Sequence, residues 1–144
     1  MLHNLRRRVE EDRGFSMIEL LVVILIIGIL AAIAIPLLIN QAGKGYDAAA
    51  KIQVGVAQRA MEVKANDNNG SYANISKSDL QAVEPSLSDT SGATLQGPTS
   101  TQNSYSVTSQ ARTTGDTFTV SRDSNGGLHR SCTGTGAGCV KGSW

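Results

Sequence analysis

The sequence predicts an α+β protein in which one long N-terminal helix packs on a small antiparallel sheet. Nearly every residue from Leu20 to Ile39 is apolar, and apolar residues then recur at three- and four-residue spacing as far as Ala60, as on one helix face. From about Ser71 onward Ser, Thr, Gly, Asn and Gln dominate. After Gly92 apolar and polar residues alternate, which is typical of short strands.

The apolar run is long enough to cross a membrane. From Phe15 to Ile39 it holds roughly 25 residues, or about 37 Å of helix. The apolar region of a secretory signal peptide is shorter, about 7–15 residues, and ends at a small-residue cleavage site. We therefore interpret the run as a membrane anchor, and the arginines before it predict a cytoplasmic N-terminus and an outward-facing C-terminal domain.

Glu19 is the one charged residue inside the apolar run. A carboxylate in mid-membrane costs about 2.5–3.5 kcal/mol, which the surrounding Leu, Ile and Val side chains offset. An ionisable residue in such a segment is a functional candidate by default. The alternative is a side chain that reaches the membrane interface and has no role.

The helix is predicted to continue beyond Asn40 and to end at Asn66–Gly70, where residues tolerant of left-handed backbone follow one another. Its continuation carries polar residues, Asp47 and Lys51 among them, between the apolar positions. A short second helix is predicted where Ser76 and Asp79 have capping-box spacing, with Pro85 ending it. Gly43-Lys44-Gly45 lacks the spacing of a phosphate-binding loop and is interpreted as a surface break.

Three short antiparallel strands are predicted in the last third of the chain. Two turns, 114–116 and 125–127, contain the Gly and Asn residues that sharp reversals favour. The apolar residues that mark the strands are, in pairs, Tyr105 and Val107, Phe118 and Val120, and Leu128 and Cys132.

Two cysteines, Cys132 and Cys139, lie beyond the predicted anchor and hence outside the cytoplasm. A disulfide is the natural interpretation there. Closing so short a loop stabilises a domain by about 2.5 kcal/mol in the chain-entropy view. The alternative is a metal site with His129, although two thiols and one imidazole do not complete a tetrahedral site.

The segment Arg13-Gly14-Phe15-Ser16-Met17-Ile18-Glu19-Leu20-Leu21 resembles the start of the type IV pilins and their relatives, the type II secretion pseudopilins. The shared features are a short basic leader, a glycine before an aromatic residue, a carboxylate four residues later and a long apolar helix. The resemblance is close over residues 1–40 and only architectural beyond them. It implies a pilin-like α+β fold with a long helix on a small antiparallel sheet.

The resemblance also implies how the first residues are processed. Residues 1–14 are expected to be a prepilin leader, cut by prepilin peptidase between Gly14 and Phe15. Phe15 is then expected to become the N-methylated N-terminus. Glu19 is expected to pair with the amine of Phe15, in its own or a neighbouring subunit, and so to set the register of assembly.

The remaining segments follow from the same resemblance. Residues 15–39 are expected to form the membrane-spanning and filament-core helix, 40–69 its amphipathic continuation, and 70–144 an irregular connection and β-sheet domain. Gly28 and Pro36 are expected to kink the helix or to let it melt in the filament. The alternative is a kink of the kind that membrane helices tolerate.

The implied function is that of a structural subunit of an extracellular pilus, with no cofactor and no enzymatic activity. The expected partners are prepilin peptidase, the membrane before assembly, an inner-membrane assembly platform, and further copies of the chain in a helical filament. The alternatives are a pseudopilin, or a minor or competence-type pilin that binds DNA. A DNA-binding patch requires clustered cations, and the candidates are Arg112, Arg122, Arg130 and Lys141.

Two weaker signals concern the C-terminal domain. Asp116 and Asp123 are candidates for calcium ligands, but their spacing is not that of an ordered calcium loop, so solvated turn residues are favoured. Asn74-Ile75-Ser76 fits a glycosylation sequon, a pattern short enough to be common by chance.

Overall fold

The computed structural model describes residues 14–135 and 138–144. Of the expected leader, only Gly14 is among the described residues. The chain divides into two compact units, 1–39 and 40–144. Helix α1 contributes to both units, and the sheet belongs to the second.

Helix α1 runs without interruption from Met17 to Asp67. The expected break at Gly43-Lys44-Gly45 is therefore wrong. One glycine weakens a helix by only about 1 kcal/mol, which the neighbouring turns can supply. At Gly43 a side chain would also crowd the structure, since a Cβ would stand 3.2 Å from the Thr114 Cγ2 atom.

The end of α1 agrees with the sequence. The N–H of Gly70 donates to the carbonyl of Ala65 at 2.7 Å, and Asn69 and Gly70 have φ values of 56° and 84°. Positive φ is the conformation that Gly and Asn adopt most readily, so this pair stops the helix.

Helix α2 spans Lys77–Val83 and begins as predicted. The Ser76 hydroxyl accepts the N–H of Asp79, and the Asp79 carboxylate accepts the N–H of Ser76 at 2.8 Å, which completes a capping box. Pro85 opens a 3₁₀ turn, Pro85–Ser88, that ends the helix.

Within the described residues, five antiparallel strands form one sheet. Their order is β1-β3-β4-β5, and β2 pairs with β3 on the same side as β1. The three longer strands are those that the alternation predicted, whereas β1 and β2 are too short to give a pattern. The bounds are Ala93–Leu95 (β1), Thr99–Ser100 (β2), Tyr105–Ala111 (β3), Thr117–Arg122 (β4) and Leu128–Thr133 (β5).

The core lies between α1 and one face of the sheet. Small residues on the buried side of α1 let the helix approach the strands closely. The largest fully buried side chains of the strands are Phe118, Leu95 and Val107. The buried residues on α1 are Asp47, Ala50, Val54, Ala57, Ala60, Met61 and Ala65.

The face of the sheet turned away from α1 is lined mainly by hydroxyl groups. Thr108 and Thr119 lie opposite each other on β3 and β4, and their hydroxyls form a hydrogen bond of 2.9 Å. Thr117 and Thr133 form the equivalent pair across β4 and β5. We call this surface the hydroxyl face, and it consists of Ser106, Thr108, Thr117, Thr119, Ser121, Ser131 and Thr133.

Candidate assembly site

Glu19 is held by the residue that precedes α1. The Oε2 atom of Glu19 accepts the backbone N–H of Ser16 at 3.2 Å, and the Ser16 hydroxyl accepts the N–H of Glu19 at 3.3 Å. These reciprocal bonds form a capping box, which satisfies two of the free N–H groups at a helix start. The carboxylate is thereby turned back toward Phe15.

The fold does not itself require glycine at two of the predicted positions. A Cβ atom at Gly14 or at Gly28 would meet no atom within 4 Å, and neither residue has a left-handed backbone. No contact within the described structure therefore calls for glycine at these positions. Gly28 and Ala32 also lie one turn apart on α1, a spacing of small residues that lets neighbouring membrane helices approach closely.

The first part of α1 is an apolar surface that nothing covers in the described structure. Met17 is 90% exposed and Ile18 73%, and the large apolar side chains from Leu20 to Ile39 are between 46% and 68% exposed. The helix is long and apolar enough to span a membrane. From Met17 to Ile39 it extends about 34 Å.

Pro36 lies within this stretch, and α1 continues through it as a helix. The expected kinking or melting at Gly28 and Pro36 refers to the assembled filament and remains a prediction.

Cys132 and Cys139 form a disulfide, as the sequence predicts. The bond excludes the alternative metal site, because the thiolates are not free to bind a metal. It holds the C-terminal segment against the sheet, where the Trp144 ring meets Phe118 edge-on at 5.9 Å and the indole N–H donates to the Ser131 carbonyl.

Comparison with known proteins decides the family. Residues 11–35 match the prokaryotic N-terminal methylation motif. The chain is also 34% identical over 110 residues to the type IV narrow pilus major component PilA5 of Thermus thermophilus, an alignment that covers 76% of this chain and 87% of that protein. The chain belongs to the type IV pilin family. No solved structure matches this pilin.

Family membership confirms the predicted fold class and the structural, non-enzymatic role. The long N-terminal helix, the antiparallel sheet and the disulfide of this pilin are those expected from the sequence. The matched motif and the PilA5 relative agree with an apolar N-terminal membrane anchor and, in general terms, with a role as a pilus component.

The sequence did not reveal a polar cluster around Glu62 at the margin of the pilin core. Its carboxylate accepts the hydroxyls of Tyr72 at 2.7 Å and Tyr105 at 2.9 Å, and it pairs with the Arg122 guanidinium at 3.1 Å. Burial and the neighbouring Glu62 charge raise the pKa of both tyrosines above its usual value. The cluster joins α1 to β3 and β4, and no short-range pattern marks it.

Asp47 was placed among the polar residues of α1, yet it is only 1% exposed. Its carboxylate accepts the Thr114 hydroxyl at 2.6 Å and the Gly138 N–H at 3.2 Å. A Cβ at Gly138 would stand 2.6 Å from the Asp47 side chain, so only glycine fits there. Asp47 therefore ties α1 to the β3–β4 turn and to the disulfide loop.

Of the four candidate DNA-binding cations, only Arg130 and Lys141 lie at the same edge of the sheet, on and beside β5. Arg122 is paired with Glu62. Arg112 lies beside β1, where its guanidinium contacts the Ser91 carbonyl at 3.5 Å. Arg130 lies on β5, at the opposite edge of the sheet. Their separation argues against a single DNA-binding patch.

The two aspartates considered for calcium have partners within the pilin. Asp123 accepts the N–H groups of Asn125 and Gly127 and the ring of His129 at 3.0 Å, so it shapes the β4–β5 turn. These bonds lower its pKa, with the His129 hydrogen bond contributing most. Asp116 is buried.

In the glycosylation sequon Asn74-Ile75-Ser76, Ser76 is the cap of α2, and Asn74 is exposed with a φ of 63°.

Proposed function

We propose that this chain is a structural subunit of a type IV pilus, cleaved between Gly14 and Phe15, anchored in the membrane and then polymerised into an extracellular filament. The observation that carries the proposal is the uncovered apolar surface of α1 up to Ile39. Such a surface is stable in lipid and in a bundle of like helices, but not in water. The name of the relative PilA5, a pilus major component, supports a pilus over a secretion pseudopilus.

The subunit passes from lipid to the filament interior, and the partners of the Glu19 carboxylate differ between these two environments. In lipid its carboxylate is satisfied in part by the Ser16 N–H of its own chain. In the filament the methylated amine of Phe15 provides a cation. A charge-assisted hydrogen bond is roughly twice as strong as one to a neutral donor, and a buried carboxylate without a partner is costly. An incoming subunit is therefore held at the axial position where this pair forms.

Processing requires a peptidase at the cytoplasmic face, because the basic leader stays on that side. Since the fold leaves Gly14 unconstrained, we assign its glycine to close approach by prepilin peptidase. Assembly then takes place at an inner-membrane platform, from which the domain beyond residue 40 emerges outside the cell.

Gly28 and Pro36 are assigned to local melting of α1 in the filament. Pro36 lacks the N–H that an unbroken helix needs, and Gly28 has the lowest helix propensity after proline. A filament map at side-chain resolution tests this assignment. Continuous helix from Gly28 to Pro36 in that map refutes it.

The proposed function is tested by co-expressing the full chain with a prepilin peptidase and a pilus assembly system. Protein sequencing is expected to give Phe15 as the new N-terminus, and its mass to include one added methyl group. Electron microscopy is expected to show filaments. A different N-terminus, or processed protein without filaments, contradicts the proposal.

Glu19→Ala isolates the assembly step. The variant is expected to be cleaved normally and to form few or no filaments, because the register pair is lost. Asp67→Ala is the matched control, since it removes an exposed carboxylate at the far end of α1. Normal filaments from Glu19→Ala rule out the pairing role.

A further inference from the structure

A cleft of about 510 Å³ opens where the chain leaves α1 and turns toward α2. The end of α1 and the residue after it contribute Lys64, Asp67 and Asn68 to its lining, and the chain in and before α2 contributes Asn74 and Asp79. Small-molecule sites typically have volumes of about 300–1,000 Å³. The cleft lies entirely in the unit 40–144, so a single subunit contains it.

The walls of the cleft are fixed within the subunit. The turn at Gly70 and the capping box of α2 hold its two ends. Between them, the Tyr72 N–H donates to the Gln102 carbonyl at 3.1 Å, and the Tyr72 hydroxyl donates to Glu62 at 2.7 Å. A ligand therefore meets a cleft that needs little reordering, which favours binding.

Several polar side chains of the cleft are not used by the fold. Within the described residues, the side chains of Asp67, Asn68, Asn69 and Asn74 form no hydrogen bond and no ion pair. Each amide can both donate and accept hydrogen bonds, and the carboxylate can accept them. These four groups line one cleft and are available to a ligand.

The backbone is left-handed at two of these asparagines. Three non-glycine residues of the described chain have positive φ, and two of them, Asn69 and Asn74, line the cleft. The end of α1 accounts for Asn69, whereas Asn74, with a φ of 63°, lies before the cap residue of α2 and belongs to neither helix. Uncommon backbone conformations of this kind cluster at ligand sites.

The charges in the cleft disfavour an anionic ligand. Lys64 opposes two carboxylates, Asp67 and Asp79, which leaves one net negative side chain. The hydrogen bonds from Ser76 lower the pKa of Asp79, and the Lys64 charge adds to this effect, so Asp79 stays ionised. Among the described residues, no group of three or more His, Cys, Asp or Glu side chains is placed to hold a metal ion. An uncharged ligand rich in hydroxyl groups fits this set best.

We propose that the cleft binds a short, uncharged saccharide. Sugar hydroxyls donate and accept hydrogen bonds, as do the amides of Asn68, Asn69 and Asn74. Ala73 and Ile75 add apolar atoms to the lining, against which the C–H face of a sugar ring can pack. The proposal goes beyond the pilus function and does not depend on it, because the cleft is complete in one subunit.

Saturation-transfer difference NMR on the full-length chain tests the proposal. The chain is held in a polyoxyethylene detergent, because a detergent with a sugar head group would compete for the cleft. The probes are three uncharged disaccharides, lactose, maltose and N,N′-diacetylchitobiose, and one acidic disaccharide, digalacturonic acid. At least one uncharged probe is expected to bind, and the acidic probe is expected to bind more weakly than it does.

Asn69→Gly and Asn74→Gly each remove one amide from the cleft. Glycine adopts positive φ without strain, so the backbone is expected to keep its conformation. Each variant is expected to raise the dissociation constant at least about fivefold through the lost hydrogen bond. Asn125→Gly is the matched control, since it removes an exposed amide from the β4–β5 turn, outside the cleft. Circular dichroism checks that every variant folds like the parent.

A saccharide site in this cleft is contradicted by three results. The first is that no uncharged probe binds at concentrations up to about 10 mM. The second is equal binding by the parent and both cleft variants, because the sugar then lies elsewhere. The third is digalacturonic acid binding as tightly as the uncharged probes, which overturns the choice of ligand class. These measurements need no filament, so each of these results leaves the proposed pilus function intact.

Discussion

Replacing Glu62 by alanine is expected to destabilise the globular unit through two buried tyrosines. Tyr105 is 3% exposed and Tyr72 7%, and both hydroxyls donate to the Glu62 carboxylate. A buried donor left without an acceptor costs about 1–3 kcal/mol. The Arg122 pair adds little, because both of its side chains are about one-third exposed.

Two such donors together cost about 2–6 kcal/mol, and because Glu62 is about one-third exposed, water can partly replace it, so we expect a loss in the free energy of unfolding of about 2–4 kcal/mol. For a unit of this size that corresponds to a Tm lower by roughly 10–20 °C. Trp144 is the only tryptophan and contacts Phe118 in the core, so its fluorescence reports unfolding of the full chain in detergent. Urea titration followed by this signal gives the free energy directly.

Two variants complete the measurement. Glu84→Ala removes an exposed glutamate and is expected to change stability by less than about 0.5 kcal/mol. In a Tyr105→Phe background, Glu62→Ala is expected to lower the free energy of unfolding by less than in the parent, because one buried hydroxyl that would lose its acceptor is absent. A loss below about 0.5 kcal/mol for Glu62→Ala alone refutes the reasoning.

Three further predictions concern pH, the disulfide and the capping box. Because the pKa of Tyr105 is raised in the fold, stability is expected to be level below about pH 10. It is expected to fall as the pH rises further, where the tyrosine ionises only in the unfolded chain. Tyr105→Phe should make this fall less steep, and a parent whose stability does not depend on pH above about 10 contradicts the prediction. Replacing Cys132 and Cys139 by serine is expected to lower the free energy of unfolding by about 2.5 kcal/mol in urea titrations, and unchanged stability counts against it. Ser16→Ala is expected to lower filament yield about fivefold, since a lost cap is worth about 1 kcal/mol, whereas Ser16→Thr keeps a hydroxyl that can accept the Glu19 N–H. Equal yields from both variants disprove the role.

Elements with local signals could be predicted from the sequence. Helix α2 begins and ends where its capping box and Pro85 indicate, and α1 stops at its Asn and Gly residues. The disulfide could be predicted because the chain has only two cysteines. The Ser16-x-x-Glu19 spacing carries the same capping signal as α2, and it could have revealed Ser16 as the partner of Glu19.

Contacts between distant parts of the chain could not be predicted in this way. Glu62 meets Arg122 across 60 positions and Tyr105 across 43. A glutamate on a helix has the same local pattern whether it faces water or a pair of tyrosines. Asp47 was assigned to the polar side of α1 for the same reason, since only the tertiary structure brings Thr114 and Gly138 to it.

The hydroxyl face of the sheet has a consequence for how such a subunit can change over time. Its side chains bond mainly with one another across the strands, as Thr108 does with Thr119. They do not contribute to the core between α1 and the sheet. We therefore expect substitutions there to disturb the core less than substitutions on the opposite face, so this surface is the part of the sheet whose chemistry can vary most between related pilins.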